Sequence, residues 1–187
     1  MTIFEYVMIL FSVVISLGLA KVLETHAHLI KREGVTWSAT YCGWLLVIVF
    51  TQIDIWASLW QVHENARWTA LDIGLSLLAA VMLFYAAIFA TPEPAEGEPV
   101  DLWSFHLANR RRYLTALVGY MLIGTWLNAT LMQHTFSLAN LTATGPAASL
   151  MLLAILVGNR WVQRLAVGAV LTLQIIYFAQ FLPAIGN

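Results

Sequence analysis

The sequence predicts an all-α transmembrane bundle of six helices, with both termini on the outer, periplasmic side. Three observations carry this prediction. First, the 187 residues are 60% hydrophobic and only 10% charged, with a mean hydropathy of +0.78, whereas soluble domains carry about 25% charged residues. Second, six apolar stretches each reach the length of about 20 residues that a membrane-spanning helix needs. Third, the basic residues are unevenly shared between the connecting loops, which indicates one orientation.

The predicted spans are residues 3–23, 37–60, 70–90, 113–132, 137–157 and 161–182, which form a single transmembrane domain. The first span has no basic residue before it and no cleavage site, so we expect a retained anchor rather than a removed signal peptide. The fifth span contains Pro146, which removes a backbone donor from a helix. Residues 136–145 therefore form either the first half of a kinked helix, which we favour, or a loop before a short helix.

The loops set the predicted orientation, since cytoplasmic loops carry an excess of Lys and Arg. Arg67 alone lies on one side of the predicted membrane. The other side carries Lys21, Lys31, Arg32, Arg110, Arg111, Arg112, Arg160 and Arg164. We therefore expect these basic loops in the cytoplasm and both termini outside.

The loop at 91–112 is the longest one. It begins as an acidic, proline-rich stretch, after which Asp101 is positioned to cap a short amphipathic helix at the inner interface. The alternative is a solvated linker followed by stop-transfer charge. The predicted membrane-interface residues are Trp37, Trp60, Trp68, Trp161, Arg110, Arg111 and Arg112.

Several function classes are excluded or disfavoured by the same sequence. A net charge of −1 argues against a nucleic-acid partner, and the single Cys42 excludes an intrachain disulfide. The histidines lie near the ends of the spans, which disfavours a haem held across the bilayer. His63-Glu64 lacks the second histidine of the zinc-protease motif. We predict no catalytic residues, no metal and no cofactor. Because no complete catalytic constellation is visible, we expect a protein that is not an enzyme, and a membrane enzyme ranks third among the candidate functions.

Four segments of the chain resemble those of a group of small, uncharacterised bacterial multi-pass membrane proteins. The resemblance rests on Phe4-Glu5-Tyr6-Val7, on the run into Ser16-Leu17-Gly18-Leu19, on the Trp-rich stretch 54–60, and on the basic segment 106–113. It covers the first two thirds of the chain. It implies a location in the bacterial inner membrane, and it implies neither an activity nor catalytic residues.

Polar residues in the outer halves of the spans predict a candidate site. Asp54 is the clearest case, because a carboxylate within the bilayer costs a few kcal/mol and usually faces the protein interior. Thr51, Asp54 and Ser58 share one face of the second helix. The other predicted ligand or ion-binding residues are Glu5, Gln52 and Asp72. We expect Glu5, Ser12 and Thr51 to face the interior of the bundle.

Two interpretations of this polar cluster remain open. In the first, an outward-facing pocket centred on Asp54 binds or translocates a small ion or solute. In the second, the polar side chains form a structural hydrogen-bonded cluster that holds helices together. The alternative function is a non-catalytic accessory subunit that packs against a larger membrane complex of the respiratory or photosynthetic type. The expected partners are the lipid bilayer and either further copies of this chain or such a complex.

Overall fold

The computed structural model describes residues 3–60, 68–93, 98–132 and 138–181. Six helices confirm the predicted all-α fold. They are α1 (Ile3–Lys31), α2 (Ala39–Trp60), α3 (Ala70–Ala90), α4 (Leu102–Leu127), α5 (Leu138–Leu156) and α6 (Arg160–Phe181). A π-helical turn, Asn128–Met132, follows α4, and two short strands, β1 (Val35–Thr36) and β2 (Val100–Asp101), pair in parallel.

Within these described residues, four helices are long and apolar enough to cross a membrane, namely α1, α2, α3 and α6. The chain is therefore a multi-pass helical membrane protein. Helix α4 combines an apolar second half with first turns that carry Arg110, Arg111 and Arg112. Helix α5 begins at Leu138 and continues through Pro146.

Helix α2 lies at the centre of the bundle and is the most buried of the four spanning helices. It packs mainly on α6 and also touches α1, α3 and α4. Around it, α3 packs between α1 and α4, and α5 packs between α4 and α6. The buried face of α3 is rich in alanine, and small residues let membrane helices approach closely. Trp44 and Ile48 of α2 and Leu83 of α3 are among the buried core residues.

One end of the bundle gathers the basic residues Lys21, Lys31, Arg32, Arg110, Arg111, Arg112, Arg160 and Arg164, and we call it the basic end. Val35 of β1 pairs there with Val100 of β2, and the Arg32 guanidinium donates to the Glu98 carbonyl at 2.6 Å. Lys21 and Glu93 form an ion pair at 2.6 Å. Gly34 turns the chain into β1 with a φ of 77°, a left-handed conformation that glycine adopts without steric cost.

Two helices reach further at the basic end than the predicted spans do. Helix α1 continues from residue 23 to Lys31. Residues 102–112, interpreted from the sequence as part of a loop with an interfacial segment, are the first turns of α4. Asp101 caps this helix, because its carboxylate accepts from the backbone N–H groups of Trp103 at 3.1 Å and Ser104 at 3.3 Å. Leu102 and His106 are completely buried, so one face of this segment packs in the bundle, and its location at the inner interface stays a prediction.

Candidate functional site around Asp54

The predicted site residues on α2 point in two directions. Each residue of a helix is rotated by about 100° from the one before, so Gln52 and Asp54 lie on nearly opposite sides of α2. Asp54 interacts with side chains of α4 and α6, whereas Gln52 packs near α1 and α3. The structure therefore separates two residues that the sequence analysis placed in one site.

The side of α2 that carries Thr51 is joined to α6 by hydrogen bonds. The Gln174 amide Nε2 donates to the Thr51 hydroxyl at 2.8 Å and to the Val47 carbonyl at 3.3 Å. The Thr51 hydroxyl itself donates to the Val47 carbonyl at 2.7 Å. Thr51 is buried, as expected. Thr51 therefore has a structural role, because its hydrogen bonds hold α2 against α6.

Asp54 lies one helical turn further along α2 and is half-buried. The Tyr120 hydroxyl of α4 and the Tyr177 hydroxyl of α6 are close enough to interact electrostatically with its carboxylate. Tyr177 also hydrogen-bonds to Ser58. Among the described residues, no lysine or arginine forms an ion pair with Asp54. The groups within electrostatic range of this carboxylate are thus hydroxyl groups, and carboxylate and hydroxyl oxygens bind protons and hard cations.

Gln52 is almost completely buried. Its Nε2 atom lies 3.0 Å from the position that a Cβ atom on Gly18 would occupy, so the amide packs directly on the backbone of α1. Neither its Nε2 nor its Oε1 atom finds a hydrogen-bond partner in the part of the chain that the structure describes. Gln52 is therefore not one of the groups around Asp54.

Asp72 has a structural role at the start of α3. Its Oδ2 atom accepts from the Thr69 backbone N–H at 3.0 Å, and its own N–H donates to the Thr69 hydroxyl at 3.2 Å. This reciprocal capping box satisfies backbone donors that the first turn of a helix leaves free. The pairing accounts for the Asp72 carboxylate as part of the α3 cap.

Two further expectations concern α1. Glu5 is exposed, so the expectation that it faces the interior of the bundle is wrong. Ser12 is half-buried. Of the predicted set, Asp54 and Ser58 are the residues that the structure brings together.

The predicted interface residues divide between exposed and packed positions. Trp37 and Trp161 are exposed at the basic end, as are Arg111 and Arg112. The Arg110 guanidinium instead packs against Gly158 and donates to the Leu107 carbonyl. Trp68 is half-buried, and the side chain of Trp60 lies outside the described residues.

A buried polar network that was not predicted from the sequence joins α4, α5 and α6. His106 Nε2 donates to Gln163 Oε1 at 3.0 Å, and the Tyr113 hydroxyl donates to His106 Nδ1. Gln163 Nε2 donates to the carbonyls of Ala154 and Val157 at 2.6 Å each. These carbonyls lie at the C-terminal end of α5, where the last carbonyl groups have no N–H donor within the helix.

His106 and Gln163 are both completely buried in this network. His106 precedes the part of α4 that is predicted to span the membrane. Burial lowers the pKa of its imidazole to about 4, and the nearby Arg110 charge acts in the same direction. The imidazole is therefore neutral at pH 7, as the hydrogen bonds require. The spacing of seven residues between His106 and Tyr113 is the one local feature of the sequence that indicates the contact between these two side chains.

Among the described residues, no group of three or more His, Cys, Asp or Glu side chains is arranged to hold a metal ion.

Comparison of the chain with protein-family models, with curated proteins and with solved structures gave no match. The bacterial inner-membrane family suggested by the sequence motifs therefore stays a prediction.

Proposed function

We propose that this membrane protein binds a small cation or a proton at Asp54, between α2, α4 and α6. The observation that carries the proposal is the setting of this carboxylate. It is half-buried in a spanning helix, it interacts electrostatically with Tyr120 and Tyr177, and it has no basic partner among the described residues. An acidic group in a membrane helix that lacks such a partner is a candidate functional residue.

Under the predicted orientation, the Asp54 site lies in the outer half of the membrane. Asp54 is six residues from the end of α2 at Trp60, which corresponds to a depth of about 9 Å below the outer end of the helix. We therefore propose access from the outer face of a bacterial inner membrane. Ser58 lies between Asp54 and that face on the same side of α2, where it contributes a further oxygen.

The test measures whether ions stabilise the protein through Asp54. Protein in lipid nanodiscs is heated in Na⁺, K⁺ or Ca²⁺ at constant ionic strength, with choline as the reference cation, and across a pH series. A ligand at about 100 times its Kd stabilises the folded state by about 2.7 kcal/mol. We expect one of these series to raise the Tm of the wild type and to leave Asp54→Asn unchanged.

Glu24→Gln serves as the matched control, because Glu24 is an exposed carboxylate of α1. It should respond to the ion as the wild type does. If Asp54→Asn keeps the full response, or if it loses stability in every condition alike, Asp54 has a structural role and the proposal is wrong.

The side of the membrane is tested separately by cysteine labelling. Cys42 is first replaced by alanine, and single cysteines are then introduced at Thr69 and Asn159, at opposite ends of the bundle. A membrane-impermeant maleimide added outside intact cells should label Thr69→Cys and spare Asn159→Cys. The reverse pattern would place the Asp54 site on the cytoplasmic side.

The accessory-subunit alternative stays a prediction, because apolar side chains that face lipid and those that face a partner helix look alike in an isolated bundle. Native mass spectrometry of the protein extracted with its surrounding membrane tests it. A stoichiometric second protein would support the subunit role.

A further inference from the structure

A cavity of about 140 Å³ lies at the basic end of the bundle. Three segments that are distant in the sequence line it, namely the chain from β1 into α2, the start of α4 and the first turns of α6. Thr36 and Trp37 come from the first segment, Trp103 from the second, and Arg160 and Arg164 from the third. The cavity is separate from the Asp54 site, which lies towards the other end of α2.

The two arginines place like charges side by side. Arg160 and Arg164 are one helical turn apart, so both guanidinium groups lie on the same face of α6. Like charges at this spacing repel by a few tenths of a kcal/mol. Each guanidinium rests on an indole ring, since Arg160 lies 4.9 Å from the Trp103 ring centre and Arg164 lies 5.5 Å from that of Trp161. These stacking contacts hold the two charges at the cavity.

One carboxylate, Asp101, lines the same cavity and interacts with Arg160. Its oxygens already accept hydrogen bonds from the first turn of α4, where Asp101 is the N-cap. Arg164 has no carboxylate partner among the described residues. The cavity therefore keeps a positive charge that nothing in the described part of the chain neutralises.

The other polar groups of the cavity suit an anion with several oxygens. Thr36, Ser38 and Thr40 also line it, and a Ser or Thr hydroxyl group is able to donate a hydrogen bond to an anion. Arginine side chains together with hydroxyl donors are the usual means of binding phosphate oxygens in proteins.

The position of the cavity indicates where the phosphate comes from. Trp37, which lines the cavity, is 46% exposed. Trp161, whose ring stacks with the Arg164 guanidinium, is 70% exposed. Exposed tryptophans are typical of the headgroup level of a membrane. By the predicted orientation this level is the cytoplasmic leaflet, and basic pockets on that side bind the headgroups of anionic lipids. We propose that the cavity binds the phosphate-bearing headgroup of an anionic phospholipid, with Arg160 and Arg164 as its ligands.

The experiment counts the lipids that remain bound to the purified full chain. Protein is reconstituted in mixed phosphatidylcholine and phosphatidylglycerol and released for native mass spectrometry, which gives the affinity ratio of the two lipids. We expect the wild type to retain phosphatidylglycerol selectively. Arg160→Gln combined with Arg164→Gln should weaken this selectivity about 30-fold, because each guanidinium that contacts the bound headgroup directly contributes about 1 kcal/mol, the net worth of a hydrogen bond.

Two variants separate the cavity from general surface charge. The matched control, Arg111→Gln with Arg112→Gln, removes two exposed arginines at the same end that do not line the cavity. It should keep most of the selectivity. Ala39 lines the cavity and is exposed, so Ala39→Trp should fill the space and abolish selective retention while leaving both arginines in place.

Three results would overturn the proposal. The first is a wild type that shows no lipid preference. The second is an equal loss of selectivity in the Arg111/Arg112 control, which would indicate diffuse electrostatic attraction. The third is displacement of the bound lipid by millimolar inorganic phosphate, which would identify a free phosphate as the ligand.

Discussion

Replacing Gln163 by leucine should destabilise the protein more than any other single change to a glutamine in the described helices. The leucine keeps the approximate size of the side chain but removes all three hydrogen bonds that the amide makes. His106 then loses the acceptor of its Nε2–H at 3.0 Å, and the Ala154 and Val157 carbonyls lose donors at 2.6 Å. All of these groups would be left without a partner in a closely packed interior.

The expected cost follows from these three groups. A buried polar group left unpaired costs about 1–3 kcal/mol in soluble proteins, whereas hydrogen bonds between membrane helices average about 0.6 kcal/mol. At about 1 kcal/mol for each group, the free energy of unfolding should fall by about 3 kcal/mol. Because His106 and Gln163 share a bond, the double variant with His106→Leu should cost less than the two single variants together.

Reversible unfolding in mixed detergent and sodium dodecyl sulfate micelles, followed by circular dichroism, measures this loss. Gln174→Leu is the matched comparison on the same helix. It removes two hydrogen bonds and also removes an Oε1 atom that has no partner among the described residues, so its cost should be about 1 kcal/mol or less. A loss of unfolding free energy in Gln163→Leu no larger than that in Gln174→Leu would refute this prediction.

Three other outcomes are expected. Because burial lowers the pKa of His106 to about 4 and an unfolded histidine titrates near 6.5, the unfolded chain binds more protons between these values. Stability should therefore fall by about 1–2 kcal/mol as the pH drops from 7.5 to 5, and His106→Phe should remove this dependence in the same unfolding assay. Gln52→Leu should raise the Tm in detergent, because it removes two buried polar atoms without partners; a lower Tm would show that this amide has a partner after all. Gly43→Ala should cost about 1–3 kcal/mol, since its Cβ would lie 2.8 Å from Val167 Cγ2, and Gly168→Ala, which meets nothing within 4 Å, should be nearly neutral.

The fold class could be predicted because the bilayer restricts what a long apolar stretch can form. Hydropathy marks where a chain leaves the hydrocarbon, however, and not where the helix ends. Helix α1 continues to Lys31 because its packed face continues: Val22, Thr25 and Leu29 are all buried. Their spacing of three and four residues is visible in the sequence and would have extended the predicted helix.

The candidate site was predicted less completely, for two different physical reasons. Gln52 was assigned to the same site as Asp54 because both side chains are polar. About 200° of rotation around the helix axis separates the two residues, so they lie on different sides of α2. Asp72 was grouped by type as well, although Thr69-x-x-Asp72 is a recognisable capping pattern. The contact between His106 and Gln163 had no such local signal, because the two residues are 57 positions apart and meet only when α4 and α6 are packed.

The pairing of Val35 with Val100 has a consequence for the order in which the protein is assembled. The intervening chain, which contains α2 and α3, leaves this strand pair and returns to it, so its two ends are held side by side at the basic end. During synthesis α1 emerges first, yet the strand that anchors its loop is made only after both of these helices. The strand pair that joins the loop after α1 to the start of α4 can therefore form only after α2 and α3 have been synthesised.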